Sequence, residues 1–179
     1  MVLRLFLCFL FIKSISYGQF QPLQSYIPKG FTLMDTASGY LNKDGYRDLV
    51  MILKNDLENE VGDTSRPLLL LEGSKDGQYR LFARNDNVVL CKECGGVFGD
   101  PYDGITIKKG FFSIAHYGGS SWRWSRIITF KFNKEKNQFI LSRDAGVSYH
   151  SSNPNKITTE LYNKKDFHRV TFLQYTNTE

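Results

Sequence analysis

The sequence predicts an all-β fold, a single compact antiparallel domain that is either propeller-blade-like or a sandwich or open barrel. Short runs of β-branched and aromatic residues recur along the chain, and glycine and polar turn signals separate them. No window combines the apolar period of an amphipathic helix with its caps. The chain has 179 residues, of which 41% are hydrophobic, so one domain with an ordinary core is expected over residues 19–179.

Nine segments are predicted to be strands because each is apolar or alternates apolar with polar residues between turn signals. In chain order they cover residues 49–53, 67–71, 79–82, 105–107, 111–115, 124–132, 139–141, 157–162 and 167–172. The first two are short apolar runs, and the third follows the turn signal Gly77-Gln78. Lys108-Lys109-Gly110 has a hairpin signature between the fourth and fifth strands. The polar residues 54–66 and 145–156 are expected to form loops.

Two of these hairpins are similar in sequence. Residues 68–82 and residues 127–141 both run as an apolar strand, a polar turn and a second strand with an aromatic residue near its start. Each resembles the last hairpin of a propeller blade. Two such units cannot close a propeller, which needs at least four blades, so we expect a twisted β-domain that uses the blade motif.

Residues 1–18 have the features of a secretory signal peptide. Arg4 supplies positive charge, residues 5–12 form an apolar run, and small residues precede a cleavage position before Gln19. The run is too short to span a bilayer comfortably, and nothing later is long and apolar enough to be a membrane helix. The sequence therefore predicts a periplasmic or secreted protein with no membrane span after signal removal; an uncleaved membrane anchor is the alternative.

The segment from Tyr40 to Asp48 has the pattern of a loop that wraps a hard cation. Oxygen-bearing side chains stand at every second position through Asn42 and Asp44, Gly45 allows a sharp turn, and Asp48 follows four residues after Asp44. One feature departs from the pattern, because Tyr40 stands where the first acid should be. A phenol is a poorer calcium ligand than a carboxylate.

Residues 39–53 resemble the calcium loop and following strand of integrin-α-type FG-GAP and bacterial VCBS-like repeats. The resemblance covers about a tenth of the chain, and Tyr40 departs from it. It implies a calcium ion that is held by the side-chain oxygens of Asn42, Asp44 and Asp48. The backbone carbonyl of Tyr46 would supply a further ligand. The alternative is a β-turn without an ion, since Asn, Asp and Gly favour turns in any case.

Two cysteines, Cys91 and Cys94, remain after the predicted signal peptide is removed. In an oxidising compartment this spacing favours a small structural disulfide that fixes a turn. A thioredoxin-like redox pair should open a helix, which the following Gly95-Gly96 would discourage. A zinc site would need a second pair of ligands, and no histidines stand at ligand spacing. Redox chemistry, a metal site and free thiols remain as alternatives to the disulfide.

The densest unusual chemistry lies in two glycine-rich segments, residues 94–104 and 116–124. Tyr, Trp and Arg are the residues that most often anchor protein interfaces, and aromatic faces also stack on sugar rings. The second segment resembles a His-Tyr-Gly-Gly-Ser-Ser-x-Arg-Trp segment of uncharacterised secreted bacterial proteins, and this resemblance names no activity. The candidate binding residues are Asp100, Tyr102, Asp103, His116, Tyr117, Trp122, Arg123 and Trp124. The alternative is a plain loop with core or edge aromatics and a solvated arginine.

A hydrolase is also considered. His116 could act as a base for Ser120 or Ser121, with Asp100 or Asp103 orienting it. No nucleophile elbow of Gly-x-Ser-x-Gly form is present, and a glycosidase would need two carboxylates at a separation that sequence does not give. We therefore assign no catalytic residues.

The predicted function is a non-enzymatic binding protein, such as an inhibitor or an immunity protein that neutralises an envelope-targeting enzyme. A carbohydrate- or peptidoglycan-binding module is the alternative, because the same aromatics would suit a glycan. The formal net charge of +5 falls to +3 without Arg4 and Lys13, and the basic residues are scattered. No stripe of the kind that neutralises phosphates is present, which argues against a nucleic-acid partner.

Overall fold

The computed structural model describes residues 22–162 and 164–177; the predicted signal peptide lies outside these residues. Nine strands follow a 3-10 helix at Leu23–Tyr26. They are β1 (Phe31–Gly39), β2 (Asp48–Asn55), β3 (Arg66–Gly73), β4 (Tyr79–Val89), β5 (Tyr102–Lys108), β6 (Phe111–Gly119), β7 (Trp122–Asn133), β8 (Gln138–His150) and β9 (Asn153–Leu161). A short helix, α1 (Glu58–Val61), precedes β3, and a 3-10 turn at Lys164–Asp166 follows β9.

The strands form two antiparallel sheets, each a meander in which neighbours in sequence are neighbours in space. The first sheet has the order β1-β2-β3-β4, and the second has the order β5-β6-β7-β8-β9. The predicted all-β fold is confirmed, and the sheets make a sandwich-like arrangement rather than a closed barrel. The two hairpins that are similar in sequence, β3–β4 and β7–β8, occupy the third and fourth places of their sheets.

The main core lies where the two sheets face each other. Alternate residues of each strand point inward, as the pleat requires. Phe112 and Phe130 stack with ring centroids 5.2 Å apart, and Phe172 meets both rings edge-on. The other buried members are aliphatic and aromatic residues from both sheets, including Val50, Ile52, Leu68, Leu70, Ile114, Ile128, Phe139 and Leu141.

Strands β2 and β3 are buried on both faces. Their second face forms a separate apolar cluster of Leu49, Met51, Leu53, Leu69 and Leu71. The segment before β1 packs against this cluster through Tyr26 and Ile27, and the Tyr26 hydroxyl donates to the Tyr79 carbonyl at 2.7 Å. Double-sided burial explains why these two strands are uninterrupted apolar runs in the sequence.

The first and second sheets meet at β1 and β5. A Cβ on Gly39 would lie 2.4 Å from Ile107 Cγ2, so only glycine permits this approach. The Gly110 N–H donates to the Tyr40 carbonyl at 3.0 Å, and the Gly110 carbonyl accepts the Phe132 N–H at 2.9 Å. These contacts hold the 40–48 loop against the β5–β6 turn.

Two sequence predictions of secondary structure are wrong. Residues 167–172 form turns with one isolated antiparallel bridge, between Thr171 and Ile140, rather than a continuous strand. The Asp166 carbonyl accepts the N–H groups of Arg169 and Val170, which makes the first of these turns. Phe172 is nevertheless buried in the core. Its apolar segment therefore resembled a strand in the sequence. Residues 145–156 are mostly strand, since β8 runs to His150 and β9 begins at Asn153. These residues are polar because the strands are partly or fully exposed here, and not because they form a loop.

Two further differences concern the N-terminal half. Strand β1 was not predicted, because its exposed positions and a bulge between Leu33 and Asp35 hide the period of two. The predicted loop at residues 54–66 instead contains α1 and ends in β3. Glu58 and Arg66 are both buried there, so the polar composition of this segment partly reflects a buried ion pair.

Candidate functional site

The segment after β4 is fixed to the end of the β6–β7 hairpin. Cys91 and Cys94 are joined by a disulfide, as predicted, with Cα atoms 5.2 Å apart. Beyond it, Gly96 forms a parallel bridge with Gly119. The Val97 N–H donates to the Gly119 carbonyl at 3.0 Å, and the Gly119 N–H donates to the Gly95 carbonyl at 2.8 Å. The two glycine-rich segments singled out in the sequence therefore lie side by side.

The glycines in these segments are needed for close backbone approach. A Cβ on Gly118 would lie 2.7 Å from Trp124 Cζ2 and 2.8 Å from the Gly95 carbonyl oxygen. A Cβ on Gly95 would lie 2.1 Å from the Gly99 carbonyl oxygen. A side chain at Gly118 would push the disulfide segment away from the hairpin, and one at Gly95 would collide with the backbone of its own segment.

Four side chains, Phe98, Tyr117, Arg123 and Tyr149, form what we call the aromatic–arginine cluster. The Arg123 guanidinium lies 4.5 Å from the Phe98 ring centroid, and its Nη1 donates to the Tyr117 hydroxyl at 3.1 Å. The Phe98 and Tyr117 rings are 5.6 Å apart. Arg123 pairs with Tyr149 across β7 and β8, and the Tyr149 hydroxyl interacts with that of Tyr117. The hydrogen bond from Arg123, followed by the interaction with Tyr149, lowers the pKa of Tyr117.

The two predicted tryptophans point to the other face of β7, because successive side chains alternate. Trp122 is 61% exposed at the end of the hairpin and meets His150 edge-on at 5.2 Å. Trp124 is half-buried and lines a small cleft beside Cys94 and Arg126. Of the two, Trp122 is the one accessible to a partner.

Asp100, whose side chain is 39% exposed, belongs to an ion-pair network around a buried arginine. Both of its oxygens accept hydrogen bonds of 2.7 Å from the guanidinium of Arg66, and Oδ1 also accepts the Tyr102 N–H at 3.0 Å. Arg66 has no exposed surface and also donates to Glu58 at 3.0 Å. Burial alone would raise the pKa of Asp100, but the bonds from Arg66 and Tyr102 outweigh it and lower the pKa.

Tyr102 and Asp103 lie at the start of β5. The half-buried Tyr102 donates its hydroxyl proton to Asp35 at 2.6 Å, which links β5 to β1. Burial, followed by the neighbouring Asp35 carboxylate, raises the pKa of Tyr102. Asp103 is exposed. Asp100 and Tyr102 thus hold the scaffold in place, although the Asp100 side chain, like Asp103, keeps surface exposed to solvent.

His116 is buried in the inner face of β6. Its Nε2 accepts the Leu90 N–H at 3.2 Å, and this bond assigns the proton of the neutral ring to Nδ1. Nδ1 has no hydrogen-bond partner among the described residues. Burial and the nearby charge of Arg126 lower the pKa of His116 to about 4. The imidazole bonds to neither Ser120 nor Ser121 in the described residues, so the arrangement considered for a hydrolase is not assembled.

A second buried ion pair lies next to His116. Arg126 donates to both oxygens of Asp144 at 2.7 Å, and the Tyr175 hydroxyl donates to the same carboxylate at 2.8 Å. The guanidinium also lies 4.3 Å from the Tyr162 ring centroid. These contacts tie β7, β8 and the C-terminal segment together.

The 40–48 loop is closed by its own hydrogen bonds. Asp48 is buried, and its carboxylate accepts the N–H groups of Leu41, Asn42 and Gly73 at 2.8, 3.2 and 3.1 Å. Burial raises the pKa of Asp48, and these three bonds oppose the shift. The Asn42 side chain accepts the Asp44 N–H at 3.0 Å.

Calcium would have to compete with these contacts. Asp44 accepts the Tyr46 N–H at 2.8 Å, so its oxygens also serve the turn. Tyr40, which stands at the first ligand position of the predicted loop, is exposed, and the Arg47 guanidinium lies 5.8 Å from its ring centroid. The loop offers carboxylate and amide oxygens as calcium ligands. It lacks the first acid of the pattern, and the positive charge of Arg47 lies near that position. The calcium site therefore stays a prediction.

Sequence reasoning missed several residues that build the site. Phe98 was not selected individually, and Tyr149 lay in a segment predicted to be a loop. Arg66, Glu58 and Asp144 were not selected at all. The only local signal for Arg66 is its position beside an apolar run, and nothing in the sequence pairs it with Asp100, 34 residues away.

The face of the second sheet that carries the cluster is open to solvent. Residues of β7, β8 and β9 line an open depression of about 410 Å³ on this face, among them Ile127, Val147 and Thr159. Ile127 is 49% exposed. In residues 22–162 and 164–177, no helix is both long enough and apolar enough to cross a membrane.

Comparisons with protein-family models, with curated proteins and with solved structures give no match to this chain.

Proposed function

We propose that this is a secreted or periplasmic, non-enzymatic binding protein that recognises another protein through the aromatic–arginine cluster. The observation that carries the proposal is the position of Arg123 on an exposed sheet face, where its guanidinium lies 4.5 Å from the Phe98 ring centroid and donates to the Tyr117 hydroxyl. Arginine and tyrosine are the residues that most often supply binding energy at protein interfaces. A side chain fixed before binding loses less entropy when the complex forms.

The surroundings of the cluster support a protein partner. Val97 and Phe98 are 83% and 43% exposed, although the disulfide segment that carries them is fixed to the hairpin. One Arg123 donor bonds to Tyr117, and the remaining N–H groups of its fork can meet carbonyls or carboxylates of a partner. The surface is open rather than a deep cavity, which suits a protein more than a small molecule.

The proposed partner class is an envelope-targeting enzyme that this protein inhibits. The predicted signal peptide and the Cys91–Cys94 disulfide favour an extracytoplasmic site of action. A glycan module would need exposed acids beside its aromatics to read hydroxyls. Both oxygens of Asp100 already accept hydrogen bonds from Arg66, which leaves Asp103 as the exposed acid of the predicted set that is not paired with this arginine. The balance therefore favours a protein ligand over a sugar.

The test is affinity capture with the mature chain, residues 19–179, immobilised and exposed to an envelope extract of the organism that makes it. Purified sacculi are tested in parallel as the glycan arm. Three variants are compared with the unmodified chain: Arg123→Glu, Trp122→Ala and, as a control with the same charge change on the other sheet, Lys75→Glu in the exposed β3–β4 turn.

The proposal predicts one stoichiometric protein partner that is lost with Arg123→Glu and retained with Lys75→Glu. Retention on sacculi without a protein partner would replace it with the glycan module. If a partner is captured equally by all variants that keep the fold, then the cluster is not the binding surface.

A further inference from the structure

Strand β9 is an open sheet edge. It is the last strand of the second sheet, and all nine of its residues are exposed. The other sheet ends contact the rest of the protein: β1 packs on β5, and β4 binds the C-terminal segment through Asn85, which donates to the Tyr175 carbonyl at 2.8 Å. An unpaired edge of this length can template pairing with another chain.

The direction of the free backbone groups on β9 follows from one hydrogen bond. The Tyr162 N–H donates to the Asp144 carbonyl on β8 at 3.0 Å. Because backbone groups of an antiparallel strand alternate between its two neighbours, Glu160 and Thr158 also face β8. The N–H and carbonyl groups of Ile157, Thr159 and Leu161 then point away from the sheet. The pairing of β8 with β9 is regular over these residues.

We infer that β9 pairs antiparallel with β9 of a second copy of this chain, around a two-fold axis at Thr158. This register sets Ile157 opposite Thr159 of the other copy, so the outward backbone groups of the two strands meet. It also sets Lys156 opposite Glu160 of the other copy, and it does so twice by symmetry. In this register Lys156 and Glu160 form a non-hydrogen-bonded pair, the type in which opposite side chains lie closest together.

The charges on β9 favour a second copy over an unrelated strand. Lys156 and Glu160 are four residues apart on one face, about 13 Å along a strand, which is too far for them to pair with each other. Neither forms a salt bridge within the described residues. Glu160 interacts with the Tyr162 hydroxyl, and its carboxylate can accept a further partner. Pairing with a second copy gives each of these charges a partner, in two contacts related by the two-fold axis.

The two-fold axis would be perpendicular to the joined sheet, so both copies would present the same face on one side. Ile157 lies opposite Tyr149 on β8, next to the aromatic–arginine cluster. A dimer would therefore display two clusters in one direction. If the proposed function is correct, this arrangement would give avidity for a partner with two sites, but the dimer itself does not depend on that function.

The test measures the mass of residues 19–179 by sedimentation velocity over a dilution series. The unmodified chain is compared with Lys156→Glu, with Glu160→Lys and with the double variant that exchanges the two charges. Each single change turns two attractive pairs into two repulsive pairs and should weaken the dimer by about tenfold or more. The double variant should restore it. Lys136→Glu, in the exposed β7–β8 turn, is the control for charge alone.

Far-UV circular dichroism and melting temperature show that each variant is folded. A monomer at every concentration would overturn the inference and leave β9 free for a different, extended peptide. A dimer insensitive to both single changes would place the contact elsewhere. Loss of the dimer in the single variants without recovery in the exchanged variant would exclude this register.

Discussion

The Arg66 guanidinium and the Asp100 carboxylate form a bidentate pair with both N–O distances at 2.7 Å, and the arginine has no exposed surface. Arg66 begins β3 in the first sheet, and Asp100 precedes β5 in the second. The pair therefore fixes the segment between the sheets, which carries the disulfide and Phe98. The position of the exposed cluster depends in this way on a buried charge.

Removing this charge should destabilise the protein strongly. We expect Arg66→Met to lower the free energy of unfolding by about 3–5 kcal/mol, because Glu58 and Asp100 would lose their partner and Glu58 is buried. The matched control is Arg84→Met. Arg84 makes a similar two-pronged contact with Asp86, but both side chains are about 40% exposed, so its loss should cost about 1 kcal/mol or less. Urea unfolding of the two variants checks the difference, and equal costs would contradict it.

His116 should make stability depend on pH between about 4 and 6.5. Burial and the charge of Arg126 lower its folded pKa to about 4, so the unfolded chain binds the proton more readily. Stability should therefore rise with pH through this window, and protonation below pH 4 should cost roughly 3 kcal/mol.

The variant His116→Gln tests this origin, because its Oε1 can accept the Leu90 N–H without titrating. Its unfolding free energy should show a flatter pH profile between 4 and 6.5 than that of the unmodified chain. Nuclear magnetic resonance titration should place the His116 midpoint near 4. A midpoint close to 6.5 in the folded protein would refute the assignment.

Most of the strands that were predicted from the sequence have a face in the core. Residues 111–115 and 124–132 show the period of two because Phe112, Ile128 and Phe130 are buried while their neighbours are not. Strand β9 has no buried residue, so its C-terminal part was found from β-branched residues and its start was taken for a loop. An alternating apolar and polar pattern arises where one face of a strand is buried. An edge strand that is exposed on both faces therefore shows little of this pattern.

The candidate site could likewise be predicted only in part. Glycine, tyrosine and arginine clustering predicted that residues 94–104 and 116–124 carry unusual chemistry, and the structure brings these segments together. The individual roles of Asp100 and His116 could not be predicted, because their partners Arg66 and Leu90 lie 34 and 26 residues away. A polar residue in a glycine-rich segment looks the same in sequence whether it faces solvent or a buried charge.

Restoring an acid at position 40 should strengthen calcium binding. Tyr40 stands at the first ligand position of the predicted loop, so Tyr40→Asp supplies the missing carboxylate. We expect millimolar calcium, compared with a chelator, to raise the melting temperature of this variant more than that of the unmodified chain, because a ligand that binds only the folded state stabilises it.

The matched control is Tyr46→Asp, which adds the same charge to the same loop. The resemblance assigns Tyr46 only a backbone carbonyl ligand, so this change should give a smaller calcium response than Tyr40→Asp. If calcium shifts none of the three proteins, the loop is a turn closed by Asp48 and Asn42 without an ion.

Loss of the disulfide should loosen the cluster more than the core. The bridge closes a short loop, so replacing Cys91 and Cys94 by serine should cost up to about 2 kcal/mol of stability. The larger effect should be local, because the bridge precedes the Gly96–Gly119 contact that positions Phe98 beneath Arg123. Hydrogen exchange at residues 95–99 should accelerate while the amides of β2 and β3 change little.

The same variant separates preorganisation from simple contact in binding. The serine variant retains every side chain of the cluster, so a partner that merely touches these residues would still find them. If rigid placement contributes to affinity, the variant should release the captured partner faster with little change in association rate. Reducing the unmodified protein should reproduce the effect. Unchanged dissociation together with faster exchange at residues 95–99 would show that the cluster binds without being held in advance.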